Sequence, residues 1–203
     1  RVCVTEGVVG RWEGWDGTPA VLVSGSAVGF YGNADDAELS EARPARRRDF
    51  GHLLCDAWGQ AARPVSRQGV RLCLVRTGIV LGSDGGMLSK LLPVYRLGLG
   101  AMLGDGNQWL SWVHIDDMVA VLVRALETPG VDGVFNACAP APVTQREFHH
   151  SLARKVKRPA LLRVPSAALK AGLGEECAML PGGQGGCRRR LEPVYDTSTT
   201  VPT

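Results

Sequence analysis

What this sequence lacks narrows it before any motif is read. It has no apolar run long enough to span a bilayer. The longest, residues 118–126, is short and interrupted by Arg124, whereas a spanning helix needs roughly 20 apolar residues. It lacks a strong charge of either sign: the formal net charge is +3, too slight to argue for nucleic acid. Its basic runs, Arg46 to Arg48 and Arg188 to Arg190, sit in Pro- or Gly-rich stretches without interleaved aromatics, the pattern of solvated loops. No pair among its six cysteines has the two-residue gap of a zinc knuckle, and no histidine shares a ligand spacing with them. Membrane, nucleic acid and metal are therefore not expected partners.

No secretory leader stands at the start. Cys73 and Cys138 lie inside the apolar runs RLCLV and VFNAC, where a free thiol acts as a small hydrophobe. A reducing, cytoplasmic compartment suits them. The chain begins at Arg1, without methionine, and reads as the middle of a domain. Organellar targeting of a longer protein therefore stays open.

What is present reads as a globular α/β chain. Hydrophobic residues make up 45% and charged residues 21% of 203 residues, ordinary for one folded domain or slightly more. Residues 1–14 read as the end of a helix, with Val2, Val4, Val8 and Val9 as its apolar positions. Residues 20–23 read as a strand and 33–49 as a surface loop. Residues 50–67 predict a helix whose apolar face carries Phe50, Leu53, Leu54, Ala57, Trp58, Ala61 and Ala62. A strand over 71–75 and a short helix over 88–97, carrying Pro93, follow.

Residues 108–115 alternate as a strand with Trp109, Ser111 and Val113 on one side. Asp116 or Asp117 is expected to cap a helix running to Glu127, with the stripe Met118, Val119, Leu122, Val123 and Leu126. Residues 134–137 read as a last strand. Thr144, with Glu147 three residues on, predicts a capping box opening a helix over 145–156. His149 and His150 read as surface residues on it. A further short helix is expected over 165–173. From 177 onward Gly, Pro, Ser and Thr dominate without periodicity, as in a poorly ordered tail. Alternating strands and helices call for a parallel sheet covered by helices.

The glycine turn G-x-G-x-x-G, whose bare backbone lets a pyrophosphate approach a helix amino terminus, is missing. Gly98, Gly100 and Gly104 come closest, but they follow a helix and have the wrong last spacing. Two apolar runs instead stop at small or hydroxyl residues: VLVSGSAVGFYG at 21–32 and RTGIVLG at 76–82. Buried parallel strands deliver polar groups in this way to the carboxyl edge of a sheet, where open α/β sheets bind ligands.

Four segments together resemble one family: SGSAVGFYG at 24–32, VRTGIVLGSDGGML at 75–88, LPVYRLGLGAMLGDGNQWLSWVHIDDMV at 92–119 and GVFNACAPAPVTQREF at 133–148. They are similar to the atypical extended short-chain dehydrogenase/reductases called epimerase family proteins, relatives of nucleotide-sugar epimerases. The resemblance covers residues 1–175. It implies a partial Rossmann-like, doubly wound parallel sheet over 1–138, a small substrate-side α/β subdomain over 139–176, and the tail over 177–203. It implies that the glycine turn and first strands of the family domain precede Arg1.

It further implies NADP, or NAD, as cofactor and a small-molecule substrate, of a nucleotide-sugar-like kind. Ser26 falls on the family serine that hydrogen-bonds the substrate oxygen. Arg1, Ser24, Arg76 and Val80 fall on the cofactor side, and Trp112, His114 and Asp116 on the substrate side. Other readings stand beside these. Ser24 and Ser26 could satisfy a tight strand-to-loop turn. Arg76 could make a strand-end ion pair, and His114 and Asp116 a structural hydrogen-bonded pair.

Classical members carry Tyr-x-x-x-Lys on the next helix. Here Gly51 and Cys55 occupy those positions, and neither performs that proton chemistry. Gly59 follows Trp58 where the family tends to carry Glu. The expected function is an NADP-binding, epimerase- or oxidoreductase-like protein. The alternative is a non-catalytic or truncated member with no activity of its own.

Overall fold

The computed structural model describes residues 2–12, 17, 19–32, 39–45 and 49–165. Arg1, the expected short helix beyond Pro165 and the tail from 177 lie outside the described residues. The first helix, α1, is Val2–Arg11. It leads into β1, Val21–Ala27, which runs further than its apolar residues predict, through Ser24 and Ser26. A 3-10 turn over Val28–Tyr31 follows. The loop predicted over 33–49 is not wholly superficial, because Leu39 is buried against Val28, Tyr31 and Cys138.

Helix α2, Phe50–Ala62, is capped by the Asp49 side chain, which accepts from His52 N. Pro64 removes a backbone donor and ends the regular helix, so the chain continues as a 3-10 segment over Arg63–Gln68. Strand β2 is Arg71–Thr77, followed after Gly78 by the short β3, Ile79–Leu81. Helix α3 is Gly86–Arg96, and β4 is Ala101–Leu103.

The strand predicted over 108–115 is divided. Trp109–Leu110 forms β5 and Trp112–His114 forms β6. The chain changes partners at Ser111, because β5 pairs with the later β8, Val143–Thr144, and β6 pairs with β3. Helix α4 is Ile115–Glu127 and β7 is Gly133–Ala137. Strand β7 is not the last. After β8, helix α5 spans Gln145–Lys155, and β9, Leu162–Val164, pairs with β4.

The central sheet is parallel, in the order β1-β2-β7. On one face Cys73, Val75, Phe135 and Ala137 pack with Val121 and Ala125 of α4. On the other, Leu22 and Leu72 pack with Val9, Val65 and Val70 beside α1. Burial on both faces explains why these strands read as continuous apolar runs. Trp58 Nε1 donates to Thr5 Oγ1 at 3.1 Å and ties α2 to α1.

Two helices present different faces from those expected. In α2 the buried residues are His52, Cys55, Ala61 and Ala62, while Phe50 and Leu53 are about half exposed. In α4 Val121 and Ala125 are buried, and Val119, Val123 and Leu126 face outward. Small Cys and Ala residues let each helix lie close to the sheet. Both helices are apolar around much of their circumference, so periodicity left the choice of face open. The cap of α4 also differs: His114, not an aspartate, is the N-cap, and its ring accepts from Asp116 N.

Gly59 lies inside α2, and a Cβ there would meet only Leu74 Cδ1 at 3.8 Å, ordinary contact distance. Glycine in a helix interior costs about 1 kcal/mol relative to alanine. Gly59→Ala is therefore expected to raise stability by about 0.5–1 kcal/mol, read as a higher urea midpoint with an unchanged slope.

Candidate functional site

A cavity of about 260 Å³ opens at the carboxyl ends of β1 and β2. Its sheet side is formed by Ala27, Val28, Gly29, Thr77, Gly78 and Ile79, and its far side by Met87, Leu91 and Tyr95 of α3 with Phe148 of α5. Trp109, Leu110 and Ser111 close it at the β5–β6 junction, and Gln145 stands at the start of α5. That start is set by the expected capping box: Glu147 N donates to Thr144 Oγ1 at 3.2 Å, and Glu147 Oε2 accepts from Thr144 N at 2.7 Å. Bonds from the Thr144 backbone and side chain hold the Glu147 carboxyl below its ordinary range.

The far wall is braced by a residue expected on the surface. His149 is only 2% exposed. Its Nε2 lies 2.9 Å from Ala160 O, and its Nδ1 lies 2.7 Å from Tyr95 Oη. A carbonyl only accepts, so Nε2 carries a proton, and in that tautomer Nδ1 is the acceptor for the Tyr95 hydroxyl. The pair joins α3 to α5 across 54 residues of sequence. Tyr95→Phe leaves a buried ring nitrogen without its donor and is expected to cost about 1–3 kcal/mol, measured by urea denaturation.

Behind the cavity, on the sheet, lies a buried polar network. The register aligns Ser26, Arg76 and Asn136 across β1, β2 and β7. Tyr31 Oη accepts from Arg76 Nη1 and donates to Asn136 Oδ1, each at 2.8 Å. Arg76 also donates to Glu41 O at 3.3 Å, and its guanidinium lies 3.6 Å from the centroid of the Phe30 ring. The Glu41 carboxylate accepts from Asn136 N at 3.0 Å.

The structure thus brings some predicted site residues together and separates others. Ser24, Ser26 and Arg76 are buried on the sheet, and none of them lines the cavity, although their neighbours Ala27 and Thr77 do. Val80 sits in β3 opposite Val113 of β6. Trp112 pairs with Ile79 and donates from Nε1 to Ala141 O at 3.1 Å. His114 Nδ1 and Asp116 Oδ2 lie 3.4 Å apart with both side chains exposed, at the amino end of α4. Tyr31, Asn136, Tyr95, Gln145 and Phe148 did not enter the sequence reading of the site. A polar residue inside the apolar run VFNAC is the signal that could have found Asn136.

Cys55, at the position of the classical lysine, is 3% exposed. Burial pushes its thiol up, against the Ala27 backbone and the Ser26 hydroxyl, which pull it down. Burial likewise raises Cys73, against the lowering charge of Arg71, and it raises Tyr95. Groups raised on folding stabilise the fold below their unfolded values, and that contribution is lost as pH climbs through the folded ones. Stability is therefore expected to fall as pH rises above about 8.5, the ordinary thiol value, seen as a lower urea midpoint at alkaline pH. Iodoacetamide mapped by mass spectrometry should label exposed Cys3 and spare Cys55 and Cys73 in the native state.

Among the described residues no cluster of His, Cys, Asp and Glu could hold a metal ion. No helix among them is long and apolar enough to cross a membrane.

Known proteins are similar to this chain in sequence and fold. An epimerase family protein of Mycobacterium bovis is 42% identical over 160 residues, 79% of this chain and 53% of its own length. A chloroplastic epimerase family protein of Arabidopsis thaliana is 40% identical over 166 residues, 82% of this chain and 47% of its own length. The chain spans about half the length of these curated relatives. The crystal structure of the human epimerase family protein SDR39U1 (isoform 2), solved with NADPH, matches with a TM-score of 0.90 and 32% identity. That match covers 98% of this chain and 68% of the human one. A nucleoside-diphosphate sugar epimerase of Corynebacterium glutamicum matches with a TM-score of 0.68 and 28% identity, over 92% of this chain and 42% of its own. The fold is accordingly Rossmann-like. Residues 16–138, more than half of the sequence, match the family model described as NAD dependent epimerase/dehydratase, and the chain belongs to that family.

Proposed function

We propose that this chain forms the nicotinamide and substrate side of an NADP-dependent oxidoreductase or epimerase acting on a small molecule. The observation that carries the reading is the position of the cavity, at the carboxyl ends of parallel strands β1 and β2. Ligands of open α/β sheets bind there. NADPH in the human relative points to the same cofactor. When bound, the nicotinamide supplies a hydride donor or acceptor.

The residues present fit the nicotinamide end. Gly78 lines the cavity, and its crossing is so tight that a Cβ would lie 2.7 Å from Ser111 O, so this part of the wall is bare backbone. Ala27 to Gly29 and Thr77 to Ile79 would border the ring, with Val80 just beyond. Ser26 and Arg76, one residue behind that border, act as positioning residues that hold the strand ends. Arg1, assigned to the cofactor side by resemblance, lies outside the described residues. Ser24 belongs to the same buried row as Ser26. Trp112 supports the β3–β6 ledge, and His114 with Asp116 caps α4. The substrate side is built from two stretches, β4 with β5 and β8 with β9, joined by their pairings.

The test is a fluorescence titration with NADPH following nicotinamide emission. Saturable enhancement supports the reading. Absence of binding, both in this chain and in a form extended to the length of its curated relatives, overturns it. A second reading, a nucleotide-sugar substrate, is favoured by the Corynebacterium glutamicum relative.

A further inference from the structure

We infer that the turn ending α5, with the turn ending α3 beside it, is a surface that seats on an anionic lipid bilayer. The inference stands apart from the cofactor reading, since none of the cations or leucines that carry it lines the cavity.

The first observation is where the charge lies. Residues 86–104 hold Lys90 and Arg96, and residues 148–165 hold Arg154, Lys155, Lys157, Arg158 and Arg163. Neither segment contains Asp or Glu. The two segments carry +7, so the rest of the sequence nets −4 within the total of +3. The small total conceals that asymmetry. All seven residues are exposed, and among the described residues no carboxylate pairs with any of them.

The fold joins the two segments. Strand β4 pairs with β9, Ala101 opposite Leu162, and a Cβ at Gly98 would lie 3.7 Å from Pro159 O. A groove over the end of α5 is bordered by Arg154, Lys157, Arg158 and Leu161. Cations at the ends of α3 and α5 also offset the helix dipoles. Each carboxyl end is worth about half a negative charge, so the two ends account for about one cation.

The second observation is apolar. Leu161 is 89% and Leu97 74% exposed, and Leu99 and Leu162 are at least half exposed. Exposed apolar groups rimmed by polar ones mark an interaction surface. A protein partner would need a hollow for each protruding side chain, whereas fluid acyl chains give way around all of them. Single-stranded nucleic acid draws on aromatic platforms, and neither segment has an exposed aromatic ring. Leucines entering the acyl boundary with cations at headgroup level is the arrangement that holds peripheral proteins to anionic membranes.

The third observation is in the backbone. Lys157 holds φ +54 just past α5. Its N donates to Arg154 O at 3.1 Å and Arg158 N donates to Ala153 O at 3.2 Å, the helix-ending motif that favours glycine. Glycine would close this turn at lower cost, and a lysine there suits a surface that gathers charge.

The test is cosedimentation of the full chain with vesicles of phosphatidylcholine and phosphatidylserine in equal parts, and with vesicles of phosphatidylcholine alone. The mixed vesicles should bind the chain and the neutral ones should not. Raising the salt to about 1 M, where charges are screened beyond about 3 Å, should weaken binding at least tenfold. Each surface cation contributes about fivefold in affinity. The combined variant Arg154→Gln, Lys157→Gln and Arg158→Gln should therefore bind about a hundredfold more weakly. Leu97→Ser with Leu161→Ser should weaken binding about tenfold at unchanged charge. Urea midpoints confirm that both variants are folded, and the comparison of the two vesicles on the native chain needs no variant. Failure to bind the mixed vesicles, equal binding to both kinds, or unchanged affinity of either variant would each overturn the inference. Binding of poly-glutamate without binding of vesicles would assign the surface to an acidic protein and overturn it too. The NADPH titration reads the cofactor proposal separately, so failure of either leaves the other standing.

Discussion

Gly78→Ala is expected to cost about 3 kcal/mol, the upper range for forcing an added methyl into a packed site. The added Cβ would sit 2.7 Å from Ser111 O, 3.0 Å from Ser111 C and 3.2 Å from Cys138 Sγ. Two of those neighbours are backbone atoms, so no side-chain rotation relieves the clash. The backbone at this point is also bonded in both directions. Gly78 N donates to Ala137 O at 3.0 Å, and Ile79 N donates to Ser111 O at 2.8 Å. The first bond holds the end of β2 to β7, and the second begins the β3–β6 pairing. A shift that admits the methyl must weaken one of them.

The same shift moves Gly78, Ile79 and Ser111 together, and all three line the cavity. Urea denaturation should therefore show a much lower midpoint, and NADPH binding should weaken in the fraction that remains folded. Gly130→Ala is the control. A Cβ there meets nothing within 4 Å, so its effect should stay within about 0.5 kcal/mol. A Gly78→Ala protein as stable as the control would show that the β2–β3 crossing is looser than described.

This crossing also shows where sequence reasoning stops. Strands β1, β2 and β7 are legible because burial on both faces writes itself as an apolar run. The α5 start is legible because a capping box is local, with its partners three residues apart. Strands of two or three residues, such as β5, β8 and β9, are too short to carry a period, so residues 108–115 looked like one strand. The faces of α2 and α4 depended on which small residues met the sheet. The Tyr31–Asn136 bond spans 105 residues, and nothing local to either residue announces it. Gln145 reads only as the first residue of a helix, and its place in the cavity wall with Phe148, Trp109 and Met87 is visible only in the folded chain.

The two apolar runs ending in small or hydroxyl residues located the ligand edge, and the family resemblance named Ser26 and Arg76, one step behind the cavity wall. In a strand, neighbouring side chains point to opposite faces. Ser26 and Arg76 therefore face away from the side that Ala27 and Thr77 present. We propose that the first pair acts by packing and positioning, and Arg76 is where that proposal can be measured.

Arg76→Met is expected to cost about 3 kcal/mol. Hydrogen bonds from a charged donor contribute about 1.5–3 kcal/mol each, and a desolvated guanidinium over an aromatic ring adds about 2. These terms share partners, so they do not sum. Arg76 makes both kinds of contact: Nη1 donates to Tyr31 Oη at 2.8 Å, and the guanidinium lies 3.6 Å from the Phe30 ring centroid. Methionine keeps much of the length and removes the charge and the planar fork. Lysine keeps the charge but not the fork or the stacking, so Arg76→Lys should recover only part of the loss. Tyr31→Phe attacks the same hub from the other side. The double variant Arg76→Met with Tyr31→Phe should therefore lose less than the two single losses together. A cofactor contact predicts a different pattern, in which Arg76→Lys keeps its stability and loses NADPH affinity. The packing role predicts a lower urea midpoint with NADPH affinity of the folded protein changed by less than about twofold, well under the tenfold that 1.4 kcal/mol represents. Measuring midpoint and affinity on the same preparation separates the two roles, since each moves the quantity that the other leaves alone.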